Sequence, residues 1–98
     1  MSVSDIETAF GSRLDQFSQL AAKLKFDFGD DRLFIDGTVT PATISHADDA
    51  ADCTLKVSAE DLVKMMHGQL DPTMAFMTGK LKVQGSTAIA MKLGSVLK

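Results

Sequence analysis

Between Asp71 and Leu93 the apolar spacing shifts from helical to alternating and back to helical, and each shift has its own punctuation. Asp71-Pro72 opens a short helix, because an Asp side chain caps free backbone N–H groups and proline suits the first helical position. Met74, Ala75, Phe76 and Met77 make that helix apolar, and Gly79 is suited to ending it. Lys80 to Gln84 then alternates, with Leu81 and Val83 on one face and Lys80, Lys82 and Gln84 on the other, which predicts a half-buried strand. Gly85-Ser86 breaks the strand, and Ser86 or Thr87 caps a last helix that is apolar around most of its circumference. A chain written this way must pack a helix, a strand and another helix in little more than twenty residues.

The segment before it has the same economy. Asp52 to Ser58 alternates, with Cys53, Leu55 and Val57 on the inner face. Cys53 therefore reads as a buried, structural cysteine. Ser58 caps a helix with Glu60 and Asp61 in its first turn, where negative charge suits the helix dipole. Leu62, Val63, Met65 and Met66 are its apolar positions, His67 falls in its last turn, and Gly68 ends it.

Towards the N-terminus, Ser4 to Lys23 predicts the longest helix, opened by a Ser4/Glu7 capping box. Ile6, Phe10, Leu14, Phe17, Leu20, Ala21 and Leu24 form its apolar stripe, with Gly11 as an internal weakness. Lys25 to Phe28, a Gly29-Asp30-Asp31 turn and Arg32 to Asp36 predict a β-hairpin. Leu33, Phe34 and Ile35 are all apolar, so either both faces of that strand are covered or one residue meets a cavity. From Gly37 to Ala51 the pattern is faint: Pro41 allows only an edge strand or a bulge, and Thr43 to His46 fits a short strand. Asp48-Asp49 reads as an exposed loop. His46 near these acids is too little for a metal site, which needs three or four ligands in defined geometry, so none is expected.

Asp71, Pro72, Ala75, Phe76, Gly79, Lys80, Leu81, Lys82, Val83 and Gly85, followed by Ala90, Met91, Lys92 and Leu93, resemble the C-terminal signature of the sterol carrier protein type 2 domain, a family of nonspecific lipid-transfer proteins. Upstream, Ala51 to Leu55 running into Ser58 to Leu62 fits the same family's strand-then-helix segment. The pattern of elements and the resemblance together give an α+β fold: one domain over residues 1–98, with about five strands in a mixed or antiparallel sheet and helices on one face. The resemblance further implies an apolar tunnel between sheet and helices. Such a tunnel would take fatty acids, fatty acyl-CoA, sterol-like or isoprenoid molecules with broad specificity. The candidate wall is Met65, Met66, Met74, Phe76, Met77, Ile89, Met91, Leu93 and Leu97. Methionine is unbranched and polarisable and moulds to varied partners, although gap-filling in a small core explains it equally. Lys80, Lys82 and Lys92 are placed in solvent, with contact to an anionic head group as the alternative.

The remaining sequence narrows the other classes. The chain has 98 residues, 45% of them hydrophobic, and a net charge of −3, which suits a globular domain and argues against nucleic acid and against an electrostatic hold on anionic membranes. The charge is uneven, with nine acids and four bases in residues 1–49 and four acids and six bases in residues 50–98. No hydrolase elbow, C-x-x-C pair, zinc-protease motif or phosphate loop is written here, so neither enzyme activity nor a cofactor is expected. One cysteine, no signal-like start and no S-K-L ending point to a cytoplasmic protein. The expected partner is a lipid, with at most transient membrane contact and a monomeric or weakly dimeric state. Two alternatives stay open: an accessory module that presents a lipid intermediate to a partner enzyme, and a small enzyme with a lipid-like substrate.

Overall fold

Side-chain alternation along the strands decides which face of the sheet is covered. The computed structural model describes the backbone of residues 3–97 and the side chains of residues 4–93. In chain order the described elements are α1 (Val3–Gly11), α2 (Leu14–Gln19), β1 (Lys23–Asp27), β2 (Arg32–Asp36), β3 (Thr43–Ser45), β4 (Cys53–Val57), α3 (Ala59–Met66), α4 (Pro72–Met77), β5 (Leu81–Gly85) and α5 (Thr87–Leu97). The five strands form one sheet in the order β3-β2-β1-β4-β5. β1 and β4 pair in parallel, and the other three pairings are antiparallel, so the sheet is mixed.

The register puts the apolar sets in line. Leu24 faces Ile35 on one side and Cys53 on the other, Phe26 faces Leu33 and Leu55, and Leu55 and Val57 face Val83 and Leu81. These residues share one face, and the helices close it. Ile6 and Phe10 of α1, Phe17 of α2, Leu62 and Met65 of α3, Ala75 of α4 and Leu93 of α5 are buried in the same core. Phe10 lies at its centre, 5.1 Å from Phe17 and 5.1 Å from Phe26 between ring centroids. Aromatic pairs at that spacing add about 0.5–1.5 kcal/mol to their area burial.

The other face carries Lys23, Lys25, Asp27, Arg32, Thr54, Lys56, Lys82 and Gln84, with one apolar exception, Phe34, which is buried. Its burial resolves the three consecutive apolar residues of β2. The 46–52 connection from β3 to β4 must cross β2 and β1 on this face, and it is pinned as it goes. Asp48 lies 2.8 Å from Lys25 Nζ and 3.8 Å from Arg32 Nε, and Asp52 Oδ2 accepts a hydrogen bond from Lys23 N at 2.9 Å. Asp48 is therefore an anchor of the crossing segment, not merely one of two acids on a loop.

The long N-terminal helix expected from the periodicity is two helices. α1 ends at Gly11, the Ser12 hydroxyl donates back to Ala9 O, and α2 begins after Arg13. Gly11 is the residue whose low helix propensity made the break affordable. Ser4 lies inside α1 and not before it, so it is not the residue that precedes the helix as an N-cap. β1 also starts two residues earlier than the alternation suggests, at Lys23, because Lys23 and Asp52 exchange hydrogen bonds that extend the pairing: Asp52 N donates to Lys23 O.

Gly85 joins β5 to the turn before α5. It has φ +95°, and a Cβ there would sit 2.4 Å from Asp52 O, the carbonyl that accepts Ser86 N. Gly85→Ala should therefore lower stability by more than about 1 kcal/mol, read as a reduced urea midpoint at unchanged slope. A midpoint equal to that of the wild type would show that this approach is not needed.

Candidate functional site

α4 is too short to bury more than one stripe. Asp71 Oδ1 accepts from Thr73 N at 2.8 Å and Pro72 sits in the first turn, so the helix starts where the sequence predicts. It stops after Met77: the Thr78 hydroxyl donates to Met74 O at 2.8 Å, and Lys80 N donates to Ala75 O at 2.9 Å. Ala75 alone is turned into the core, against β5. Met74 and Phe76 on the flanks are each 53% exposed, and Met77 is 73% exposed. On α5, Leu93 is buried and Ile89 and Ala90 are half-buried against the core, while Met91 on the opposite side is 81% exposed.

The nine candidate wall residues thus separate into two groups. Met65 and Leu93 are buried and Met66 and Ile89 half-buried, all packed on the core beneath α3 and α5. Met74, Phe76 and Met77 of α4 and Met91 of α5 stand in water. Leu97 lies in α5, but its side chain is outside the described residues. An enclosed tunnel is not shown among the described residues, and Met65 and Leu93 belong to the buried core between sheet and helices. An open depression of about 480 Å³ lies instead where α3 runs into α4, lined by Met65, Met66, His67, Gly68, Leu70, Asp71 and Pro72. Leu70 and the Gly68 turn were not among the candidates. Their signal was faint, since the short connection between the two helices, residues 67–71, carries no periodicity.

His46, at the exit of β3, lies between two carboxylates, with Nε2 2.7 Å from Glu7 Oε1 and Nδ1 3.1 Å from Asp31 Oδ1. These are not the Asp48-Asp49 neighbours suggested by sequence. The hydrogen bonds to Asp31 and Glu7 raise the His46 pKa above its usual 6.5. Asp31 is held below its usual 3.8, first by the Arg32 N–H it accepts and then by His46. Asp48 is lowered by its hydrogen bond with Lys25 and by that residue's charge. Burial pushes the Cys53 thiol up. Among the described residues no cluster of three or more His, Cys, Asp or Glu side chains is arranged to hold a metal ion. No described helix is long and apolar enough to cross a membrane.

In class, this is an α+β domain with its helices on one face of a five-stranded mixed sheet and exposed apolar side chains on α4 and α5. The chain belongs to the SCP-2 sterol transfer family, whose model matches residues 5–98. Lipid binding and transfer in general is the function of that family. Rat hydroxysteroid dehydrogenase-like protein 2 is 42% identical over 66 residues, which cover 65% of this chain and 13% of that protein. The chain thus corresponds to a small part of the length of such relatives. Sterol carrier protein 2 from Yarrowia lipolytica, in its apo form, superposes with a TM-score of 0.70 at 20% identity, over 88% of this chain and 73% of that one. A ubiquinone synthesis protein, UbiJ-SCP2, superposes with a TM-score of 0.72 at 21% identity, over 96% and 86%. At those identities the superpositions establish the fold.

The His46 cluster ties α1 and the β1–β2 turn to the end of β3, and its charge states fix a pH window. His46 has a raised pKa, so its contribution is complete below pH 6.5 and is lost as pH rises through the raised value. Asp31 has a lowered pKa, so its contribution is present above pH 3.8 and is lost as pH falls through the lowered value. The urea midpoint should fall as pH rises from about 6.5 to 9 in the wild type and change less in His46→Ala. Parallel pH profiles for the two proteins would remove the cluster from the stability of the fold.

Proposed function

We propose that this domain is a lipid carrier of broad specificity, taking fatty acids, fatty acyl-CoA, sterol-like or isoprenoid molecules. The observation that carries the reading is the exposure of Met74, Phe76, Met77 and Met91, together with the half-burial of Met66 and Ile89. Family membership gives the general class, and the methionines give the breadth. A flexible thioether side chain adapts to chains and rings alike, and apolar contact discriminates only weakly between homologous ligands.

In this reading Met65, Met66, Ile89, Leu93 and Leu97 form the wall, and Met74, Phe76, Met77 and Met91 form its mouth. An acyl chain would enter by parting α5 and α4 from the sheet. Each CH₂ it buries contributes about 0.8 kcal/mol, and a polar head would stay at the mouth in water. The domain acts without catalysing a reaction. His46 is held by two carboxylates, and Cys53 lies in the core with its thiol pKa raised, so neither is offered to a ligand as base or nucleophile. No cofactor and no nucleic acid are required, a monomer or weak dimer suffices, and a single buried thiol suits the reducing cytoplasm.

Native mass spectrometry after incubation with a long-chain fatty acid tests the reading. The wild type should carry one added ligand mass. Ile89→Asp or Met66→Asp should reduce the loaded fraction at least ~tenfold, because a carboxylate in an apolar wall repels the chain and the acid head alike. Circular dichroism checks that each variant is folded. A wild type that stays unloaded with fatty acid, acyl-CoA and sterol alike would overturn the carrier function.

A further inference from the structure

β5 is the last strand in the order β3-β2-β1-β4-β5, and among the described residues no strand lies beyond it. Ser86 N donates to Asp52 O at 3.0 Å. The antiparallel ladder alternates from there, so Gln84 and Lys82 bond through their backbones to Thr54 and Lys56 of β4. The N–H and C=O groups of Leu81 and Val83 therefore point away from the sheet, in position to pair with another extended chain.

The polar face of the sheet is unevenly neutralised. Over β1 and β2 the extended 46–52 connection brings Asp48 to Lys25 and Arg32. Over β4 and β5 Lys56 and Lys82 stand directly opposite each other, both exposed. Among the described residues neither has an ion pair. Asp27, beside Lys56 on β1, turns its carboxylate to Gly29 N at 2.9 Å. Exposed Lys80 directly precedes the strand and adds a third positive charge. Like charges facing each other across a strand pair oppose sheet formation, and a carboxylate seated beside them would relieve that repulsion.

We propose that the β5 edge takes up an extended, acidic segment of a partner protein as a sixth strand. The segment's backbone pairs with the outward groups of Leu81 and Val83, and its alternate side chains fall on the two faces of the sheet. Those on the polar face are carboxylates, which meet Lys82 and, one strand further in, Lys56. Those on the helical face are apolar and pack beside the half-buried Val83. The chain itself holds a precedent, since its own 46–52 segment is extended, acidic and seated on Lys25 and Arg32 of the same face. A second copy of this chain is the poorer occupant. Pairing β5 with β5 would add lysines to lysines, the means by which edge strands avoid self-association. The edge and the polar face lie apart from the helical side, so this role goes beyond the carrier reading and does not depend on a lipid being held inside.

Calorimetric titration of the full chain with a short peptide alternating glutamate with valine, and with one alternating lysine with valine, tests it. The glutamate peptide should bind at least ~tenfold more tightly, and its binding should weaken as salt is added. Hydrogen exchange at the Val83 amide should slow at least ~tenfold on binding, because that N–H gains a partner. A glutamate peptide N-methylated at alternate residues keeps its charge but loses one row of donors, and should bind at least ~tenfold more weakly. Lys56→Glu and Lys82→Glu each put opposite charges across β4 and β5, so both should fold, as circular dichroism will show. Lys56→Glu should weaken binding of the glutamate peptide, and Lys82→Glu should move the preference to the lysine peptide. Equal binding of the two peptides, or binding of neither, would overturn the proposal. So would binding that leaves Val83 exchange unchanged, which would be ionic contact without strand pairing. A dimer of the peptide-free protein with Val83 already protected would give the edge to a second copy and overturn it as well.

Discussion

The parallel pairing of β1 with β4 is the constraint from which the remaining architecture follows. Two segments almost thirty residues apart lie side by side, Leu24 against Cys53 and Phe26 against Leu55. A parallel neighbour cannot be reached by a tight turn, so the chain between them must form the β2–β3 extension and then travel back over the sheet. It returns as an extended segment without a helix, held by Asp48 and Asp52. The crossing covers Phe34's side of the sheet, and every helix is left for the other side. One-sided helical packing is thus the outcome of how a short chain closes a parallel pair.

That arrangement is uneven in what it buries. At the centre, β1 is flanked on both sides, Phe10 packs on its Phe26, and its inward side chains are inaccessible. At the β5 edge the roof is thin. α4 has six residues, roughly 9 Å of helix, and commits only Ala75 to the core. Most of the apolar content of α4 is left at the surface by its brevity, not by a lack of hydrophobicity. A longer helix would have placed a second and third residue on the buried stripe.

Local signals carried much of this into the sequence. β2 spans the predicted residues, and Ser58 and Asp71 cap the helices that they were expected to cap, because capping and alternation depend on neighbours only. What failed to show were the long-range choices. The break at Gly11 goes with Phe10 packing on both Phe17 and Phe26, a long-range choice that helical periodicity cannot express. Asp31 and Asp48 read as solvated acids until the fold brings His46 to one and Lys25 and Arg32 to the other. The apolar wall was legible as a set of residue types but not as a place. Met77 and Leu93 have similar hydrophobic character, yet one stands in water and the other is 1% exposed.

Cys53 is the protein's single thiol, and it is wholly buried on β4, between the parallel and antiparallel halves of the sheet. A thiol reagent can reach it only when the helices that cover this face of the sheet part from it. The rate at which Cys53 is modified is therefore a clock for that opening, written into the chain without any added label. Anything that binds the closed form more tightly than the open one must slow this clock in proportion to its occupancy. The position that contributes least to surface chemistry is in this way the one that reports most directly on whether the domain is occupied.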